Sequence, residues 1–186
     1  MTIKEGDKLP EVTLHHMTEN GPTPITTSEL FGGKKSVLFA VPGAFTPGCS
    51  MQHLPGFVSN SDEILSKGVD QIVCLSVNDS FVMNAWFRDQ NIAKIKPIGD
   101  GEGKFTKEMD MLVNKPKQGF GMRSWRYSAF INNGEVVKLF VEDGKNDDQD
   151  YYGGRHQSKK GSSGRGNAFA SFESNPRRIV MAEDGG

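Results

Sequence analysis

Residues 36–41, Ser-Val-Leu-Phe-Ala-Val, form an apolar run with β-branched members and the length of a buried strand. Pro42 and Gly43 break it, and a helical pattern follows with Leu54, Phe57, Val58, Ile64 and Leu65. Residues 71–77 read as a second buried strand. Residues 81–89 have helical spacing, with Phe81, Val82, Ala85 and Trp86 on one side. Asp100-Gly101-Glu102-Gly103 opens another helix around Phe105, Met109 and Leu112. Residues 127–131 and 136–141 flank Asn132-Asn133-Gly134, whose Asn-Gly pair signals a hairpin. Nearer the start, residues 11–14 alternate like an early edge strand, and residues 21–24 read as a turn. Residues 27–30 look like a short capped helical turn before Gly32-Gly33. Strand–helix alternation that closes on a hairpin predicts an α/β fold with a mixed central sheet flanked by helices.

The pattern changes near Asp143. From there to Gly166 the chain is polar and Gly-rich, with Asp143, Asp147, Asp148 and Asp150 followed by Arg155, Lys159, Lys160 and Arg165. Such a segment buries too little apolar surface to offset its ordering entropy, so it reads as largely disordered. Beyond it, Phe169, Phe172, Ile179 and Val180 are candidates for weak docking on the body. The expected division is a folded domain over 1–142 and a tail over 143–186. This tail accounts for much of the low hydrophobic fraction of 35%.

A length of 186 residues suits one domain with a real core. A formal net charge of −1 gives no reason to expect nucleic acid or an anionic membrane as partner. No stretch approaches the roughly 18 apolar residues of a membrane helix, and residues 1–7 lack the apolar core of a secretory signal. Two cysteines do not make a disulfide scaffold, which points to a reducing cytoplasm. His15 and His16 are adjacent, so on a strand they face opposite sides and do not chelate together. Residues 100–103 misplace the glycine and final Glu of a calcium loop, and no P-loop or dinucleotide fingerprint is present. The expectation is a protein with no metal, nucleotide or haem.

Cys49 lies where the first apolar strand hands over to its helix. Thr46 suits the N-cap and Pro47 the first helical position, which puts Cys49 in the first turn. Unpaired backbone N–H groups and the positive end of the helix dipole favour a thiolate there, below the roughly 8.5 of a free cysteine. The plain alternative is an inert buried cysteine packing as a small hydrophobe.

Pro42, Thr46 and Cys49 reproduce the pattern P-x-x-x-T-x-x-C, and the string continues through Ser50 and His53-Leu54-Pro55-Gly56-Phe57. Two further blocks follow in order, residues 74–83 and Arg123-Ser124-Trp125-Arg126-Tyr127. Together they resemble the peroxiredoxins, in particular the type-II subfamily that includes peroxiredoxin-5. The likeness runs from about Ile3 to Val141 and stops there.

That resemblance implies a thioredoxin-like fold and a thiol peroxidase acting on hydrogen peroxide and small alkyl hydroperoxides through a Cys49 sulfenic acid. It assigns the Thr46 hydroxyl to the bound peroxide, Pro42 to shielding the thiolate, and Arg126 to the role of distant catalytic arginine. Arg123 competes for that role. His53, one helical turn beyond Cys49, either faces the same pocket or is a structural histidine. Cys74 reads as a core cysteine from its strand pattern. It is also the candidate resolving cysteine, because one branch of the family carries a pair at this separation. A single-cysteine cycle reduced by an external thiol is favoured, with glutaredoxin, thioredoxin or glutathione as reductant. A homodimer is implied, with Phe120-Gly121-Met122 beside Trp125 as a candidate contact. The other readings are a redox-sensing module that relays Cys49 oxidation to a partner, and a dithiol oxidoreductase. The second is disfavoured because Cys49 has no partner at C-x-x-C spacing.

Overall fold

The computed structural model describes residues 2–47 and 54–145. Cys49, His53 and the expected docking residues of the tail lie outside them. The elements run β1 (Thr13–Thr18), β2 (Gly21–Thr26), α1 (Thr27–Phe31), β3 (Lys35–Val41), α2 (Leu54–Ser66), β4 (Gln71–Ser76) and α3 (Ser80–Asp89). There follow β5 (Ile95–Gly99), α4 (Lys104–Glu108), β6 (Leu112–Lys115), β7 (Gly121–Ser124), β8 (Tyr127–Asn132) and β9 (Glu135–Val141).

Seven strands make one sheet in the order β2-β1-β5-β4-β3-β8-β9, while β6 and β7 pair as a separate hairpin. β3, β4 and β5 are parallel neighbours and the remaining ladders are antiparallel, so the sheet is mixed as expected. β3 and β4 sit in its middle, which is why their sequences are continuous apolar runs. Val37, Phe39, Val41, Ile72 and Cys74 pack with Leu54, Phe57 and Ile64 of α2 and Met83, Trp86 and Phe87 of α3. The alternate residues Leu38, Ala40, Val73 and Leu75 pack with Leu30, Phe31, Phe105 and Met109. The Phe39 and Phe57 rings stack 3.9 Å apart and tie α2 to the sheet centre.

Several local expectations need correction. Residues 21–24 are part of β2 rather than a turn, and β2, not β1, is the sheet edge. Pro22 and Pro24 are two residues apart, so both missing N–H groups face the strand's open side, where no ladder bond is lost. Phe81 and Ala85 point outward, Phe81 with 62% of its surface exposed, because α3 buries Ser80, Met83, Trp86 and Phe87 instead. Val58 of α2 is likewise exposed. Leu112 opens β6 rather than continuing α4. Neither β5, interrupted by a lysine and a proline, nor the β6–β7 hairpin stands out in the pattern.

Capping explains the helix starts. Thr26 and Glu29 form a reciprocal capping box on α1. The Asp79 carboxylate accepts from the Val82 N–H. Buried Asp100 accepts from the N–H groups of Phe105 and Thr106 and from the Thr106 hydroxyl, so the motif that superficially suggested calcium is a helix cap. Asn133 and Gly134, with φ of 48° and 78°, make the expected tight turn between β8 and β9. Among the described residues no helix is long and apolar enough to cross a membrane.

Candidate active site

β3 ends at Val41, beside Ser76, the last residue of β4. The Asn78 side-chain oxygen accepts from the Ser76 hydroxyl at 2.7 Å and from the Ala44 N–H at 3.0 Å. Asn78 thereby fastens the turn after β3 to the end of β4. The Thr46 hydroxyl donates to the Gly43 carbonyl at 2.7 Å and closes the turn on itself. Phe45 takes a left-handed φ of 63° and leaves 52% of its surface exposed. Pro47 is helical, matching its expected place in the first turn. Cys49 follows three residues after Thr46, at most about 10 Å of chain.

Two arginines approach this turn from different directions. The Arg123 Nε donates to the Phe120 carbonyl at 3.1 Å, with the guanidinium 5.5 Å from the Phe120 ring centroid. Its Nη1 reaches the Pro42 carbonyl at 3.5 Å. A Cβ on Gly43 would lie 2.8 Å from that Nη1 and 3.1 Å from the Thr46 methyl, so glycine is what lets Arg123 and Thr46 close over the backbone.

Arg126 immediately precedes β8, whose Tyr127 pairs with Ala40. This register sets Arg126 beside the end of β3, where the turn begins. Its Nη1 lies 3.4 Å from both Glu142 carboxylate oxygens, and the Glu142 N–H donates to the Arg126 carbonyl at 3.1 Å. Trp125 Nε1 donates to the Glu142 carbonyl at 2.7 Å, fixing the same segment. The neighbouring Tyr127 is fully buried, and burial together with the Asp100 charge pushes its phenol well above the usual tyrosine range. It stays neutral at any physiological pH.

Cys74 is elsewhere. It pairs with Phe39 in mid-strand, fully buried on the face covered by α2. The structure therefore gathers Pro42, Thr46 and both arginines at one end of the sheet and leaves Cys74 in the core. Asn78 is the residue that motif reading passed over. It stands inside a quoted block, and its signal was a lone amide just past the end of an apolar strand. Among the described residues no three His, Cys, Asp or Glu side chains converge where a metal ion could bind.

Comparison with known proteins gives the family. The Redoxin family model matches residues 4–153. A peroxiredoxin of Synechocystis sp. is 53% identical over 127 residues, covering 66% of this chain and 67% of its own. The chain belongs to the peroxiredoxins. The reduced Prx3 of Vibrio vulnificus in complex with H2O2 superposes with a TM-score of 0.74 at 46% identity, over 76% of this chain and 89% of that one. The Plasmodium falciparum antioxidant protein, described as a 1-Cys peroxiredoxin, gives 0.73 at 41% identity, over 77% and 86%. This peroxiredoxin has the thioredoxin-like fold of its family and is a thiol peroxidase, an oxidoreductase that takes electrons from a thiol to reduce a peroxide.

In this peroxiredoxin the site is positioned mainly by backbone. The parallel β3–β4 pair sets the turn and Asn78 side by side, and the antiparallel β3–β8 pair sets Arg126 next to them. Each belongs to a different stretch of sequence, and only the sheet register makes them neighbours.

Proposed function

We propose that this peroxiredoxin reduces hydrogen peroxide and small alkyl hydroperoxides through a sulfenic acid on Cys49, assisted by Pro42, Thr46 and Arg126. The observation that carries it is the turn before Cys49, closed by the Thr46–Gly43 hydrogen bond with Arg126 registered alongside. The Cys49 thiolate attacks one peroxide oxygen, the O–O bond breaks, and the other oxygen leaves as hydroxide or alkoxide and takes up a proton. The Thr46 hydroxyl donates its one proton to the Gly43 carbonyl, which leaves its lone pairs free to accept from a protonated peroxide oxygen. The Arg126 guanidinium stabilises the thiolate and the charge that grows on the leaving oxygen, while Glu142 keeps it in place. The Vibrio relative in complex with H2O2 supports the choice of peroxide.

The sulfenic acid is returned to the thiol by an external reductant, namely glutaredoxin, thioredoxin or glutathione, in a single-cysteine cycle. The burial of Cys74 beneath α2 supports this, because a disulfide needs the two Cα atoms within about 7 Å. The 1-Cys description of the Plasmodium relative supports it as well. The reaction belongs to the domain over 1–142, in a cytoplasmic setting, and the tail over 143–186 takes no part in it. The protein acts as a homodimer. Met122, with 48% of its surface exposed, is an available contact, whereas Trp125 is only 6% exposed and belongs to the core.

Intact mass after one equivalent of peroxide tests the cycle: a gain of one oxygen supports it, and a loss of two hydrogens would mean that Cys74 resolves. Arg126→Ala should slow the peroxide reaction about 100-fold and raise the Cys49 pKa. An unchanged stopped-flow rate would remove Arg126 from the mechanism. Gly43→Ala should cost little stability, since the Cβ meets the end of a flexible side chain, yet slow peroxide attack about 10-fold by shifting Thr46. Comparing its melting temperature with its stopped-flow rate checks both halves of that expectation.

A further inference from the structure

β1 and β5 are joined through a single register pair, His15 with Gly99, and the strands part beyond it. A cleft of about 430 Å³ opens there, with His16 and Met17 of β1 on one side and Lys96 of β5 on the other. Asn84, Phe87 and Arg88 of α3 border it as well. Within the β4–β5 ladder Ile95 aligns with Ile72, and Gly99 with Ser76. The cleft therefore lies toward the opposite ends of these strands from the turn over 42–47, about 13 Å away along the strand.

The charge of this cleft is one-sided. Arg88, Lys96 and His16 line it, and no Asp or Glu does. A second cleft bordered by Lys96 contains Asp62 and Asp70, and one beside α4 sets Glu11, Glu102 and Glu108 against Lys104 and Lys107. Neither acid of that second cleft is spare, since Asp62 pairs with Lys94 and Asp70 accepts from the Lys35 N–H. Among the described residues the Lys96 ammonium meets only the neutral Gln71 amide oxygen, at 3.4 Å, and the Arg88 guanidinium has no carboxylate against it. Burial lowers the His16 imidazole below its usual range and the Lys96 charge lowers it further; burial and the charge of Lys34 lower Lys96 in turn. Arg88 also suits the negative end of α3, but that does not account for Lys96 across the cleft. The remaining lining is largely apolar, with Phe87 and Ile95 buried and Met17 and Ile92 half-buried.

We propose that this cleft binds a small organic phosphate monoester, its phosphate held by Arg88 and Lys96 and its organic body resting on Met17, Phe87 and Ile92. Two cations match the two negative charges that a monoester carries near neutral pH, whereas a carboxylate would leave one uncompensated. The guanidinium fork pairs with two phosphate oxygens and the ammonium acts on the group as a point charge. His16 and Asn84 supply further N–H donors, and the apolar walls suit a ligand with a carbon body. This is a second ligand site, and it does not rest on the reading of Cys49.

Calorimetric titration of the full-length protein at low ionic strength tests it, with phenyl phosphate, inorganic phosphate and benzoate as probes. Phenyl phosphate should saturate a single site and shift the backbone amide signals of His16, Met17, Arg88 and Lys96. Inorganic phosphate, which lacks the body, and benzoate, which lacks the second charge, should each bind about 10-fold more weakly. Arg88→Gln and Lys96→Gln should each weaken phenyl phosphate about 10-fold with an unchanged amide spectrum elsewhere, and Lys96→Arg should keep most of the affinity. Added salt should weaken binding in the wild type. No saturable binding, equal affinity for the three probes, or unaltered affinity in both glutamine variants would overturn the assignment. Sedimentation with vesicles of phosphatidic acid and phosphatidylcholine, without any response to phenyl phosphate, would overturn it in favour of a lipid headgroup.

Discussion

Cys49→Ser is expected to lower peroxide consumption by about three orders of magnitude or more while leaving the fold intact. A serine hydroxyl is not ionised near neutral pH and cannot accept an oxygen atom to form the sulfenic acid proposed for turnover. The remaining cysteine cannot substitute for it, since Cys74 is fully buried in mid-strand opposite Phe39. Cys74→Ala should accordingly leave the single-turnover peroxide rate close to wild type. Stopped-flow peroxide consumption and circular dichroism on both variants decide the matter. Wild-type rates in Cys49→Ser would refute the assignment of the nucleophile.

Phe39→Ala is expected to be the costliest core substitution for both stability and activity. Phe39 is fully buried in the central strand, and its ring stacks on Phe57 of α2 at 3.9 Å. Truncation removes that contact and leaves a cavity between sheet and helix, at a cost of about 3–5 kcal/mol. For a chain of this size the melting temperature should drop by about 10 °C. Activity should fall as well, because the chain runs from Cys49 directly into α2 and the Phe39–Phe57 stack seats α2 on the sheet. Urea unfolding with an unchanged m-value and a lowered midpoint is the expected signature. A cost below about 1 kcal/mol would show that α2 is held elsewhere.

These two expectations draw on different kinds of information. The candidate nucleophile was legible from residue order alone: an apolar strand, a Pro/Gly break, and Thr46-Pro47 ahead of Cys49 describe one local strand–turn–helix unit. The buried strands β3 and β4 were equally plain, because central parallel strands are apolar on both faces and need no alternation to be seen. Edge and peripheral elements were not. β2 looked like a turn because an edge strand tolerates prolines that a central strand excludes. β5 carries a lysine and a proline within its five residues, which hides its strand character. The inward face of α3 was misjudged by one position, since apolarity alone cannot tell which of Phe81 and Trp86 meets the sheet.

By itself the sequence determined what is local and covalent: the buried strands β3 and β4, the capped start of α1, the hairpin at Asn133-Gly134, and the placing of Cys49 just after Thr46 and Pro47. Tertiary structure alone decided which distant residues share the site. The β3–β4 and β3–β8 registers bring Asn78 and Arg126 to the turn, and the β6–β7 hairpin delivers Arg123 to the Pro42 carbonyl. Only the fold, too, separated the two arginines, because Glu142 stands against Arg126 and no carboxylate among the described residues stands against Arg123. The physical reason is one of range: backbone propensities act over a few residues, whereas strand register and charge pairing join positions that lie far apart in the chain.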